Sequence, residues 1–69
     1  MSIKVRLAIL LAERDMKLKD LSEKTGISLN NLSILKTNKA KAIRFSTLNE
    51  ICKALNCQPG DLIEYREEN

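Results

Sequence analysis

The chain contains no histidine and no tryptophan, and its aromatic residues are limited to Phe45 and Tyr65. Without histidine, the side chain that most readily gives or takes a proton near neutral pH is missing, and so is the commonest metal ligand. Cys52 and Cys57 alone do not make a zinc site, and there is no glycine-rich loop to hold a phosphate. No carboxylates pair up in an expected cleft, and neither cysteine has an activating neighbour in sequence. These absences argue against an enzyme, and no metal, cofactor or small-molecule ligand is expected. The cysteines lie five apart across an expected helix end, where a bridge would have to join distant points around the helix. They are expected to be small, free apolar residues in a reducing cytoplasm. Glycine occurs at 26 and 60, proline at 59, and valine once. That scarcity argues against a sandwich or barrel and favours helices with short connections. The apolar run Leu7–Ala12 is far too short to span a bilayer, and no signal peptide is visible. A soluble cytoplasmic protein with no membrane association is expected.

A second absence is local. From Lys24 to Asn49 there is no aspartate or glutamate, although acids are plentiful elsewhere. Residues 1–44 hold ten Lys/Arg against Glu13, Asp15, Asp20 and Glu23, a balance of +6. Residues 45–69 hold Lys53 and Arg66 against five acids, a balance of −3, and the two sum to the net +3. The positive charge therefore belongs to one part of the molecule. A surface facing only solvent normally mixes both signs. An acid-free run carrying lysines and amides suits a polyanion, and nucleic acid is the obvious one. A solvated basic face with no partner is the plainer alternative.

With 69 residues the chain is expected to be one domain, 1–69, with a thin aliphatic core. Ile3, Val5 and Leu7 alternate with Lys4 and Arg6, a short strand-like pattern. A first helix is expected over about Arg6–Arg14, with Asp15 beginning a turn or capping the next helix. The second covers about Leu18–Thr25, and Gly26 follows where a helix takes a left-handed terminal residue. Ser28 is a good N-cap for a third helix over about Leu29–Thr37, in which Leu32 and Leu35 point inward. Asn30, Ser33, Ile34 and Thr37 then face outward, and Asn38 makes a left-handed stop. Ser46 is expected to cap a fourth helix over Thr47–Leu55, and Pro59 to start a last turn, Pro59–Leu62. Leu62, Ile63 and Tyr65 alternate with Glu64 and Arg66, which suits a short strand pairing with Ile3–Val5. Glu67–Asn69 are expected to fray.

Two helices joined by a short turn containing glycine, over about 18–37, make a helix-turn-helix. Its second helix can enter the major groove, reading base edges while its flanks hold phosphates. Asparagine can pair twice with adenine, and an apolar side chain can meet a thymine methyl.

The residues Leu21-Ser22-Glu23-Lys24-Thr25-Gly26-Ile27-Ser28, then Leu32–Lys36, Ile43–Phe45, Leu48, Ile51–Leu55 and Pro59–Leu62, resemble those of Cro/C1-type (phage-repressor-like, XRE-type) helix-turn-helix proteins. Small single-domain bacterial members ending in a segment like Cys57–Leu62 are especially similar. The resemblance implies an all-α, five-helix lambda-repressor-like domain with room for a short terminal two-strand pairing. It further implies a transcriptional regulator, a repressor in many members, bound to double-stranded DNA as a homodimer on a two-fold operator and nucleoid-associated when bound. Base contacts then fall to Ser28, Leu29, Asn30, Ser33 and Ile34. Phosphate contacts fall to Lys17, Asn31, Thr37, Lys39, Lys41 and Arg44. Four positions depart from the family's pattern. Leu18 stands where many phage repressors have glutamine, Leu29 and Ile34 are apolar where longer polar side chains are frequent, and Asn38 replaces the usual glycine. The apolar substitutions favour methyl contacts or, as the alternative function, an antitoxin-like or anti-repressor-like module that meets a protein. The dimer surface is expected either along Ile3–Val5 and Ile63–Tyr65 or on the fifth helix.

Overall fold

A computed structural model describes residues 2–67 of the chain. Two strands, β1 (Ser2–Val5) and β2 (Ile63–Arg66), enclose five helices in sequence: α1 (Leu7–Glu13), α2 (Leu18–Thr25), α3 (Leu29–Lys36), α4 (Phe45–Leu55) and α5 (Pro59–Leu62). The strands pair antiparallel, Ser2 opposite Arg66 and Val5 opposite Ile63, so the expected terminal pairing is present. Residues 68 and 69, where fraying was expected, lie outside the described residues.

A repeated pattern explains where the helices begin. Each is preceded by an apolar residue just before its N-cap, matched by a second one five residues on: Val5 and Leu10, Met16 and Leu21, Ile27 and Leu32, Ile43 and Leu48, Cys57 and Leu62. These are the positions of a hydrophobic staple, which fixes the angle at which the chain enters a helix. Every member of the five pairs lies in the core or packs against it. In α2 and α5 the third helical residue adds a second tie. Asp20 accepts from the Lys17 N–H at 3.2 Å, and Asp61 accepts from the Gln58 N–H at 2.9 Å.

The staple also corrects the expected start of α4. Ser46 is not its cap. The N-cap is Arg44, and the Leu48 N–H already donates to the Arg44 carbonyl at 3.0 Å. Burying Ile43 and Leu48 on either side of Arg44 sets this start. It turns Phe45 out to 88% exposure.

Helix ends follow a common rule as well. Gly26 (φ 75°) ends α2, and Asp15 (φ 50°), Asn38 (φ 61°) and Asn56 (φ 52°) follow α1, α3 and α4 in left-handed conformation. Short polar side chains tolerate this region better than most. After each of the three, the next N–H reaches back five residues: Met16 to Leu11 O, Lys39 to Ile34 O and Cys57 to Cys52 O, at 2.9–3.0 Å. Asp15 is thus a helix terminator and not the cap of α2, which is Lys17. The same geometry overturns the spacing argument about the cysteines. The turn at Asn56 brings Cys57 back beside Cys52, and both remain free thiols. Burial, and then the neighbouring Cys52 thiol, push the Cys57 thiol above its usual range.

The core consists of Leu7, Leu10, Leu11, Leu21, Leu32, Leu35, Ile51, Leu55 and Leu62, with no buried polar side chain among the described residues. Two polar ties close it. The Arg14 guanidinium donates to the Leu55 carbonyl at 2.6 Å, placing a cation on the negative end of α4. The Asn38 amide grips β1 across 33 residues of sequence, its Oδ1 accepting from Val5 N–H at 2.7 Å and its Nδ2 donating to Val5 O at 3.2 Å. Asn38 thus does two jobs that glycine cannot combine. Asn38→Ala is expected to lose both bonds and to strain the left-handed turn, lowering stability by about 2 kcal/mol. Urea unfolding measures this, and a change below about 0.5 kcal/mol would refute the clamp.

Candidate nucleic-acid interface

The α2–turn–α3 unit is held by its own side chains. The Ser22 hydroxyl donates to Ile27 O at 2.6 Å, and the Thr25 hydroxyl donates to Leu21 O at 2.8 Å while accepting from Ile27 N–H at 3.2 Å. Ser28 caps α3, its Oγ accepting from Asn31 N–H at 3.1 Å. Gly26 supplies the positive φ that lets the chain reverse between the helices. Ile27 then packs against the core between them. The angle of α3 is therefore fixed locally, before any partner is met.

Leu32 and Leu35 anchor the inner side of α3. Its other side presents Leu29 at 49% exposure and Ile34 at 38%, with Asn30 and Asn31 exposed and Ser33 half-buried. The hydroxyls differ in what they have left to offer. Ser28 uses an oxygen lone pair inside the cap and keeps its proton for an outside acceptor. Thr37 donates its proton to Ser33 O at 2.9 Å, so toward an anion it turns only lone pairs unless that bond breaks.

A concave region of about 350 Å³ lies beside α3. Asn31 and Ile34 line it from the helix, Ala40, Ala42 and Ile43 from the loop, and Arg44 and Thr47 from the start of α4. The structure thus brings Asn31 and Ile34 of α3 together with Arg44 at the head of α4. Thr47 was missed by the sequence reading because Ser46 was expected to cap α4. Arg44 caps this helix with its backbone and makes no side-chain capping bond, so no side chain of the cap takes up the first-turn N–H groups of α4. Such N–H groups favour an anion.

Lys39 and Lys41, on the loop leading into Arg44, are exposed, as are Arg44 itself and Lys17 at the head of α2. Among the described residues the recorded ion pairs are Arg14–Glu13 at 3.6 Å and Arg66–Glu64 at 2.6 Å. None engages Lys17, Lys39, Lys41 or Arg44. Among the described residues these cations have no recorded counter-ion, which for Lys39, Lys41 and Arg44 follows from the acid-free run around them. Leu18 is half-buried against the core, so the position that is glutamine in many phage repressors is used here for packing. Among the described residues no cluster of side chains fits a metal ion, and no helix is long and apolar enough to cross a membrane.

Residues 6–68 match the model of the Cro/C1-type HTH DNA-binding domain. A curated relative, the uncharacterized HTH-type transcriptional regulator YozG of Bacillus subtilis (strain 168), is 57% identical over 68 residues, covering 99% of this chain and 81% of its own length. A solved structure, that of the transcriptional regulator VanUg, superposes with a TM-score of 0.75 at 35% identity, covering 99% of this chain and 92% of that one.

Proposed function

This chain belongs to the Cro/C1-type helix-turn-helix DNA-binding family, and from that premise we propose how it engages DNA: α3 enters the major groove of double-stranded DNA while Lys39, Lys41 and Arg44 hold the flanking phosphates. It is a DNA-binding transcriptional regulator. The observation that carries the finer reading is the run of cations without internal partners beside a helix whose outer side is free of charge. Phosphate contacts give affinity, and base-edge contacts give sequence preference. Ser28, Asn30 and Ser33 are assigned to base-edge acceptors and donors, and Leu29 and Ile34 to thymine methyls. Lys17, Asn31 and the first turn of α4 join the phosphate set. Thr37 joins it only by giving up its bond to Ser33. The protein acts by binding and not by catalysis, in the cytoplasm, and works as a homodimer on a two-fold site, because one small unit offers a limited interface.

Selection of bound fragments from random duplex DNA tests this. The expected result is a two-fold symmetric motif with A·T-rich positions under α3, and an affinity that falls steeply with salt. A second reading, a module that docks a protein through α3, is favoured by the exposure of Leu29 and Ile34. An unenriched pool together with salt-insensitive or undetectable DNA binding would reject the first reading in favour of the second.

A further inference from the structure

We propose that the apolar cavity between the β1–β2 ribbon and the loop before α4 is an effector site for a small apolar carboxylate, held by Lys41, whose binding loosens the grip on DNA. The site stands on its own observations, and its effect on DNA rests on the function proposed above.

The cavity has a volume of about 180 Å³. Val5 and Ile63 line it from the ribbon, Ala40 and Ile43 from the loop, and Leu35 and Ile51 from α3 and α4. Apart from Lys41, every residue that lines it is apolar. Backbone groups that could draw water in are already engaged. The Asn38 amide takes both groups of Val5, and the Arg6 N–H takes the Leu62 carbonyl. An apolar space of about 150 Å³ stays dry and holds a molecule the size of benzene. This cavity therefore suits a single ring or a short branched chain.

The charge of the occupant is decided at the mouth. Lys41 borders the cavity and is itself exposed. A lysine lays its stem along an apolar wall and keeps its ammonium in water. No ion pair is recorded for Lys41 among the described residues, and the chain has no acid from Lys24 to Asn49. The ribbon supplies none on this side either. Ile3, Val5 and Ile63 line the cavity, so Lys4, Glu64 and Arg66 alternate onto the opposite face. A carboxylate satisfies the Lys41 ammonium while its apolar body fills the space behind it. An amine of the same shape is repelled, and an alcohol makes only the weaker neutral contact.

The site is coupled to the DNA-facing side by a shared wall. Leu35, Ala40, Ala42 and Ile43 line both this cavity and the concave region beside α3. Lys41 stands in the middle of that wall and is one of the three cations assigned to phosphates. A carboxylate paired with it removes a cation from the DNA contact and sets a negative charge beside the others. Nothing local in the chain announces this site, because its lining comes from both ends of the sequence and from the middle.

NMR titration of the full chain with phenylacetate, 2-phenylethanol and phenethylamine tests it. Phenylacetate should bind one per chain with a Kd of about 1 mM or tighter, shifting the methyls of Val5, Ala40, Ile43 and Ile63. The alcohol should bind about 10-fold more weakly and the amine more weakly still. Lys41→Met keeps the stem and should bring phenylacetate down to the alcohol's affinity while leaving the alcohol unchanged. Saturating phenylacetate should lower the affinity for duplex DNA about 10-fold and flatten its salt slope by about one unit, against the same concentration of sodium acetate. Equal binding of the three probes, no binding of any, shifts at methyls elsewhere, or full phenylacetate affinity in Lys41→Met overturns the site. Shifts of these methyls that follow protein concentration without probe place a second copy there and overturn it too. Phenylacetate bound at these methyls with DNA affinity unchanged overturns the regulatory role. A chain that binds phenylacetate as expected but never binds DNA keeps the site and overturns the proposed function instead.

Discussion

Leu32→Ala is expected to lower the unfolding free energy by about 3–5 kcal/mol. Leu32 is fully buried and is one of two residues that anchor α3 to the rest of the core. It is also the inner partner of the staple begun at Ile27. Eight residues are too few for a helix to persist alone in water, so α3 exists because Leu32 and Leu35 dock it. Among the described residues no polar side chain is buried to move into the vacated space. A chain of this size has roughly 3–10 kcal/mol of total stability, so the substitution removes a large share of it. Chemical unfolding should show a lower midpoint with a similar slope. DNA binding should fall in proportion to the unfolded fraction, and an added excess of DNA should recover it by mass action. A loss below about 1 kcal/mol would mean that α3 is held by something other than this leucine.

Removing Lys39, Lys41 and Arg44 together should instead spare the fold and abolish most DNA affinity. Among the described residues none of the three side chains has an ion-pair partner, and Arg44 caps α4 through its backbone alone. The triple alanine variant should therefore melt close to the wild type. Each phosphate that is no longer neutralised takes about 0.9 off the slope of log K against log salt, so the slope should flatten by nearly three units. At low salt the affinity should drop about 100-fold, at roughly 1 kcal/mol for each cation removed. Fluorescence anisotropy of a labelled duplex across a salt series measures both quantities. An unchanged slope would move the phosphate contacts elsewhere on the surface. A lowered melting temperature would show that the loop cations serve the fold.

The two predictions separate what is written locally in this chain from what is not. The turn Gly26–Ser28, the inward Leu32 and Leu35, and the left-handed stop at Asn38 follow from residues within a few positions of each other. The acid-free run follows from composition alone. Where the local reading failed, at the start of α4, Ser46 was a plausible cap in isolation, but the Ile43–Leu48 staple outweighed it because burying two apolar side chains is worth more than one exposed capping bond. The signal was present in sequence as an apolar pair five apart, repeated at every helix. The cysteine spacing was misjudged for a related reason: a single left-handed residue, Asn56, redirects the chain and makes neighbours of Cys52 and Cys57.

The sequence by itself determined five helices, a glycine turn between the second and third, and a positive region with no acids to neutralise it. These depend on backbone propensity, capping and charge, all of which act over a few residues or none. Tertiary structure alone decided that Asn38 clamps Val5, that Arg44 and Asn31 share one concave region, and that Tyr65 is left on an open edge. Those outcomes depend on side chains brought together from distant parts of the chain. Such contacts form only once the apolar faces have packed, and no local pattern specifies which partner each polar group will find.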